Sequence, residues 1–160
     1  MKKIRFAALL LLIILLPTLC AGCAQRREIR SVEKELGIDL DGAKLIAHSD
    51  THGGFLGDGT MMKVLDAETL AVPDEWQELP MDQTAQALAY GCMTEDGFCG
   101  PMLTDEKGDP LLPEIGKGRW KLIDRQENAE GSLLERYSFN FTLAVYDAEN
   151  GLLYVLRMDT

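Results

Sequence analysis

Apolar and polar residues alternate most regularly near the C-terminus of this 160-residue chain. Phe139, Phe141, Leu143 and Val145 are interleaved with Asn140, Thr142, Ala144 and Tyr146, the period of two that sends one set to a core and the other towards solvent. A second stripe, Leu152, Tyr154, Leu156 and Met158, follows Asn150-Gly151. Asn-Gly suits a type I′ turn because both central residues need positive φ, so the two stripes are predicted to form a β-hairpin. A two-residue loop sets Val145 opposite Leu156 and Leu143 opposite Met158. A four-residue loop shifts the pairing by two and keeps the same faces together.

Upstream, Ala43 to His48 and Thr60 to Leu65 are short apolar-rich runs flanking a glycine-rich loop, and both read as strands. Arg119 to Arg125 reads as another through Trp120, Leu122 and Ile123. Pro73 to Leu79 opens like a helical first turn, but Pro80 stops it early. Asp82 is a better cap, for a helix over Gln83 to Tyr90 with Ala85, Leu88 and Ala89 on one stripe and Gly91 as terminator. Between Cys92 and Gly118 turn residues dominate, so a long irregular connection is expected. The fold class is therefore α+β: one domain over residues 38–160, with an antiparallel sheet of four to five strands and one or two short helices on one face. Trp120 and the Phe139–Val145 stripe are expected beneath the helix.

The N-terminus follows a different pattern. Lys2, Lys3 and Arg5 precede an unbroken apolar run, Phe6 to Leu16; Pro17 follows, and Ala21-Gly22 stands directly before Cys23. That is a secretory layout of charged head, short apolar middle and small residues at the cut. It resembles a bacterial lipoprotein signal, with residues 1–22 removed, Cys23 lipidated and residues 23–37 forming a lipid anchor and short stalk. Two acyl chains, at about 0.8 kcal/mol per buried CH₂, suffice for stable anchoring. Two other readings compete. An uncleaved span needs about 20 apolar residues, and Pro17 and Thr18 interrupt this one. Cleavage without lipid is the other, and Cys20 stands where the lipoprotein pattern prefers an aliphatic residue. Behind Cys23, Ile29, Val32 and Leu36 form a weak helical stripe ending at Gly37. Arg26, Arg27 and Arg30 either face anionic lipid or belong to a mixed-charge helix face.

Losing residues 1–22 removes three bases and no acid, taking the formal charge from −10 to −13. Such a chain repels polyphosphates, which argues against a nucleic-acid partner. With Cys20 cleaved off and Cys23 lipidated, Cys92 and Cys99 remain of the four cysteines. In an oxidising compartment this spacing, with the Asp96-Gly97 turn signal between, suggests a disulfide contributing about 2–3 kcal/mol in the chain-entropy model. Two unbridged thiols are the alternative.

The run that could carry chemistry is His48 to Thr60, which holds both histidines of the chain. If the backbone stays extended through His52, then His48, Asp50 and His52 share one side, a workable divalent-metal set with Asp58 as a fourth ligand. The competing reading is a tight glycine loop whose Asp and His bond to the backbone. No phosphate loop, dinucleotide fingerprint, calcium-hand spacing or nucleophile elbow is present, so no catalytic residue is assigned and no cofactor beyond such a metal.

Four runs carry a resemblance: Asp50 to Thr60, Trp76 to Pro80, Ile123 to Arg125 and Ser138 to Asp147. Over residues 36 to 160 the chain resembles a family of small uncharacterised lipoproteins from Gram-positive, clostridia-like bacteria. The resemblance implies an envelope location and supplies no catalytic residue. The Val72–Leu79 region departs from it, being shorter than the helix of such relatives. The functional expectation is a non-catalytic binding or accessory module, lipid-anchored on the outer face of the membrane, for an unknown protein or envelope ligand. The alternatives are a divalent-metal-binding protein using His48, Asp50 and His52, and an inhibitor or immunity protein for a secreted enzyme.

Overall fold

The computed structural model describes residues 22–53, 57–94, 97–100, 102–105, 107–126 and 131–160, and the chain divides into two units, Met1–Leu40 and Asp41–Thr160. The first contains a helix, α1, over residues 22–36, so the Ile29, Val32 and Leu36 stripe is helical as its spacing predicts and the expected stalk is part of this helix. The N–H groups of Gly37 and Ile38 both reach Glu33 O, at 2.9 and 3.3 Å, and the Glu33 carboxylate accepts Leu40 N–H at 3.0 Å, which turns the chain out of the helix. Cys23 is exposed near the start of α1. The leader's apolar run, Phe6 to Leu16, and Cys20 lie outside the described residues. Among the described residues no helix is long and apolar enough to cross a membrane.

The second unit is α+β. Its elements are β1 (Lys44–Asp50), β2 (Gly59–Asp66), β3 (Gln77–Glu78), α2 (Gln83–Tyr90), β4 (Cys92–Thr94), β5 (Gly97–Cys99), β6 (Gly118–Asp124), a 3₁₀ turn at Leu133–Glu135, β7 (Asn140–Asp147) and β8 (Leu152–Asp159). Six strands form one sheet in the order β1-β2-β8-β7-β6-β3, every neighbour antiparallel, while β4 and β5 pair separately. The strand beyond the expected number is β3. After Pro73 the chain makes a single turn, closed by Trp76 N–H to Pro73 O at 3.1 Å, and Gln77 and Glu78 then pair with Trp120 and Arg119. Pro80 lacks an N–H and disfavours helix in the residue before it, so a first turn here has nothing to propagate into.

The C-terminal hairpin takes the longer of its two expected registers. Val145 faces Tyr154, Leu143 faces Leu156, and Asp147 faces Leu152, leaving a loop over 148–151. Asp147 decides this: its carboxylate accepts the N–H groups of Glu149 and Asn150 at 3.0 and 3.2 Å and the Asn150 amide at 2.7 Å. That local cage ends the ladder before Asn150-Gly151 can occupy the centre of a two-residue turn.

Phe141, Leu143 and Val145 are fully buried, as the alternation predicts. Thr142 and Ala144 are buried as well, contrary to the solvent face expected for them. Thr142 is shielded by Arg125, whose Nε donates to Thr142 Oγ1 at 3.1 Å. The main core lies on the α2 side of the sheet, where Ala85, Leu88 and Ala89 cluster with Trp120, Phe141, Leu143 and Leu156. Each fully buried Leu or Phe contributes roughly 1.5–3 kcal/mol. Asp82 caps α2 by accepting Ala85 N–H at 2.8 Å, and Gly91, at φ 86°, ends it with its own N–H on Ala87 O.

The connection from Cys92 to Gly118 is less irregular than its composition suggests. It begins with the β4–β5 hairpin, in which Cys92 and Cys99 are register partners. The intervening Glu95-Asp96, and with it half of the turn signal, lies outside the described residues. The connection is then pinned to the end of α2, as Met102 and Leu103 both donate their N–H groups to Leu88 O at 3.2 and 3.1 Å. Further on, an isolated bridge joins Thr104 to Pro110.

Candidate functional site

The run from His48 to Thr60 is divided between the two faces of the sheet. Residues alternate along β1, so His48 and Asp50 lie on one face and Ser49 on the other, with Thr51 just past the strand. Extended structure stops at Asp50, not at His52. Thr51 N–H donates to Thr60 O at 2.9 Å and Thr60 N–H returns to Thr51 Oγ1 at 2.9 Å, while His52 N–H folds back onto Asp50 Oδ1 at 2.9 Å. Gly59 makes this fold possible. A Cβ there would stand 2.6 Å from His52 N and 2.7 Å from His52 Cα, both unyielding backbone atoms.

Asp50, His52 and Asp159 form a carboxylate–imidazole–carboxylate chain. His52 Nδ1 lies 2.6 Å from Asp50 Oδ1, and Nε2 lies 3.1 Å from Asp159 Oδ2. A neutral ring donates from one of these nitrogens and an imidazolium from both. Asp159, at the end of β8, also accepts Arg157 Nε on Oδ2 at 2.7 Å and Arg125 Nη2 on Oδ1 at 2.6 Å. With its amide nitrogen turned inward, Asn140 adds a donor to Oδ1 at 3.2 Å. Arg125 is itself held by the carbonyls of Phe141 and Met158 at 3.3 and 3.0 Å and by Thr142. This network fastens four elements: the end of β1, the segment after β6, and the adjoining ends of β7 and β8.

Electrostatics follow the contacts. Burial alone raises the Asp159 pKa, but the Arg157 and Arg125 hydrogen bonds and charges outweigh it and hold the carboxyl below its ordinary value. Asp50 behaves alike: burial opposes ionisation, and the His52 N–H and ring prevail. These carboxylates are already matched by guanidinium and imidazole.

The metal set expected from spacing is not assembled in that form. His48 is a register partner of Lys63 and has no bond in the Asp50–His52–Asp159 chain, and Asp58 is exposed in the loop before β2. Among the described residues no group of three His, Cys, Asp or Glu is arranged to hold a metal ion. The physical reason is that each ring nitrogen of His52 meets a carboxylate, and the shared carboxylate Asp159 sits against two guanidinium groups that repel a cation. Spacing along residues 48 to 58 held no sign of Arg125, Arg157 or Asp159, which arrive from other strands. The apparent clue is charge on the strand ends: Arg157 and Asp159 interrupt the outward face of the Leu152–Met158 stripe.

On the opposite face, Ser49, Thr51 and Thr60 meet Thr104, Asp105 and Lys107 of the long connection around a cavity of about 250 Å³. Met62 and Leu111 complete its lining. Asp105 anchors its own loop, with Oδ1 accepting Lys107 N–H at 2.8 Å and Asp109 N–H at 3.0 Å. The N–H groups of Asp109 and Lys107 hold its carboxyl below the ordinary value, against a small opposing effect of burial.

Comparison with protein-family models, curated proteins and solved structures gives no match.

Proposed function

We propose that this protein is an exported, non-catalytic binding module held on the outer face of the cell membrane by lipid on Cys23. The observation that carries the binding half is the division of the His48–Thr60 run. Two of its four titratable members, Asp50 and His52, are bonded to each other, and His52 reaches on to Asp159, while its hydroxyl members Ser49, Thr51 and Thr60 line a cavity. A group fixed between two carboxylates serves to fasten a loop, and a cavity rimmed by polar side chains serves to receive a ligand. The address half rests on the sequence: the basic start, the Phe6–Leu16 run and Ala21-Gly22-Cys23. The resemblance read from four runs of the sequence implies the same location. A bridge between Cys92 and Cys99 belongs to this reading, and their pairing across β4 and β5 supports it.

Fractionation of the producing cell tests the anchor. The wild-type chain is expected with the membranes, and Cys23→Ala is expected in the medium or as an uncleaved precursor. Membrane retention unchanged by Cys23→Ala would overturn the lipid anchor.

A further inference from the structure

We propose that the cavity between the β1–β2 pair and the 102–111 segment binds a single neutral sugar ring. This deepens the binding-module reading and rests on it. A volume of about 250 Å³ falls just below the roughly 300–1,000 Å³ of pockets for drug-sized ligands, which fits one ring and not an extended molecule. Two hydroxyls on opposite walls, Ser49 Oγ and Thr104 Oγ1, take part in none of the hydrogen bonds among the described residues. Thr51 differs, since its hydroxyl is spent on Thr60. A hydroxyl donates one bond and accepts two, the same complement that a sugar hydroxyl offers in return.

Charge at the cavity selects against other ligands. Asp105 and Lys107 place both signs of charge on the described lining, so neither a phosphate nor a divalent cation meets a wall of one sign. A neutral ligand can use both: carboxylate as acceptor, ammonium as threefold donor. Met62 and Leu111 offer apolar surface to the C–H groups of a ring. The walls are also set before any ligand arrives. The Thr104–Pro110 bridge, Asp105 N–H to Asp109 O at 2.9 Å and Gly108 N–H to Asp105 O at 3.1 Å tie Thr104 and Asp105 to the 108–110 stretch. Leu111 N–H to Leu103 O at 2.9 Å closes its base. A preformed site loses less ordering entropy on binding.

Calorimetry on the full chain, in a detergent without a sugar headgroup, tests this. The probes are glucose, galactose and N-acetylglucosamine, their linear tetrasaccharides, and glycerol at matched concentration. Saturable binding of at least one hexose, with no saturation by glycerol, is expected. Equal affinity for ring and tetrasaccharide assigns the site to free sugar, and tighter tetrasaccharide binding assigns it to a glycan chain. The double variant S49A/T104A is expected to weaken binding at least tenfold while keeping the wild-type melting temperature. The inference is overturned if no hexose saturates, if glycerol matches the hexoses, or if S49A/T104A binds like wild type. A chain released by Cys23→Ala that takes up no sugar ends this inference alone. Sugar uptake by a chain that Cys23→Ala does not release keeps the site and ends the anchor.

Discussion

His52 Nε2 stands 3.1 Å from Asp159 Oδ2, across 107 positions of sequence. Asp159 also receives Arg125 and Arg157, at 2.6 and 2.7 Å, and the Asn140 amide at 3.2 Å, so one carboxylate organises four neighbours. Replacing it with Asn keeps the size and removes the charge. Two partly buried guanidinium groups then share one amide oxygen, and removing a charged partner from such a bond costs about 1–3 kcal/mol. Asp159→Asn is therefore expected to lower the urea midpoint with an unchanged m-value. His52→Ala, which removes one of these neighbours and leaves both guanidinium bonds in place, is expected to lower it less. Equal midpoints for Asp159→Asn and wild type would show that the network adds nothing to stability.

The same network makes stability depend on acid. Asp50 and Asp159 are held below their ordinary value of 3.8 in the folded protein. The unfolded chain thus binds protons at a higher pH than the folded one. Their contribution is present in full above the unfolded value and is lost as pH falls through the depressed folded values. Urea midpoints measured from neutral pH down to about 2 are expected to hold level and then drop below the ordinary carboxylate range. In Asp159→Asn that drop is expected to be shallower. Asp124, lowered by the Gln126 N–H and by Arg136 against the opposing effect of burial, keeps part of the slope in the variant.

Gly59, the first residue of β2, and Gly53, in the loop after β1, offer an internal contrast. A methyl at Gly59 meets the His52 backbone at 2.6 Å, whereas one at Gly53 finds, among the described residues, only Thr51 O at 3.8 Å. Overpacking against atoms that cannot rotate away costs about 1–3 kcal/mol. Gly59→Ala is expected to lower the melting temperature and to shift the His52 amide resonance, because β2 and the loop must separate. Gly53→Ala is expected within about 0.5 kcal/mol of wild type. Equal effects at the two positions would remove the close approach as the reason for glycine at 59.

What was legible in the sequence is what local pattern determines. The Phe139–Val145 alternation, the Asp82 cap with Gly91 as terminator, and the placement of Trp120 beneath α2 depend on neighbours within a few residues or on one buried face. The hairpin register was open because the Asn-Gly signal and the Asp147 cage compete, and only the three-dimensional bonds decide between them. β3 leaves no sequence signal because two residues have no period to detect. Alternation directs Thr142 towards solvent because it reports one face, while Arg125, seventeen residues before it, covers the other. The candidate site follows the same rule. Spacing gathered His48, Asp50 and His52 but could not bring Asp159 between His52 and two arginines, and that carboxylate turns a metal-like set into an internal fastening.

Cys92 and Cys99 face each other directly across β4 and β5. Residues opposite each other in an antiparallel pair have Cα atoms about 4.5–5.5 Å apart. Disulfides need roughly 4.4–6.8 Å, so the backbone register suits a bridge. The side chain of Cys99 lies outside what is described, so the bond itself is a matter for chemistry on the protein. In a chain taken from the envelope, with Cys20 removed and Cys23 lipidated, titration of denatured protein is expected to find no reactive thiol. After reduction it is expected to find two, with stability lower by about 2–3 kcal/mol in the chain-entropy model. Two reactive thiols before reduction would exclude the bridge. A cytosolic form lacking the lipid is expected to expose every thiol it retains, because that compartment keeps cysteines reduced. Thiol counts on the two fractions therefore separate a bridge set by export from a pairing that is only a matter of strand register.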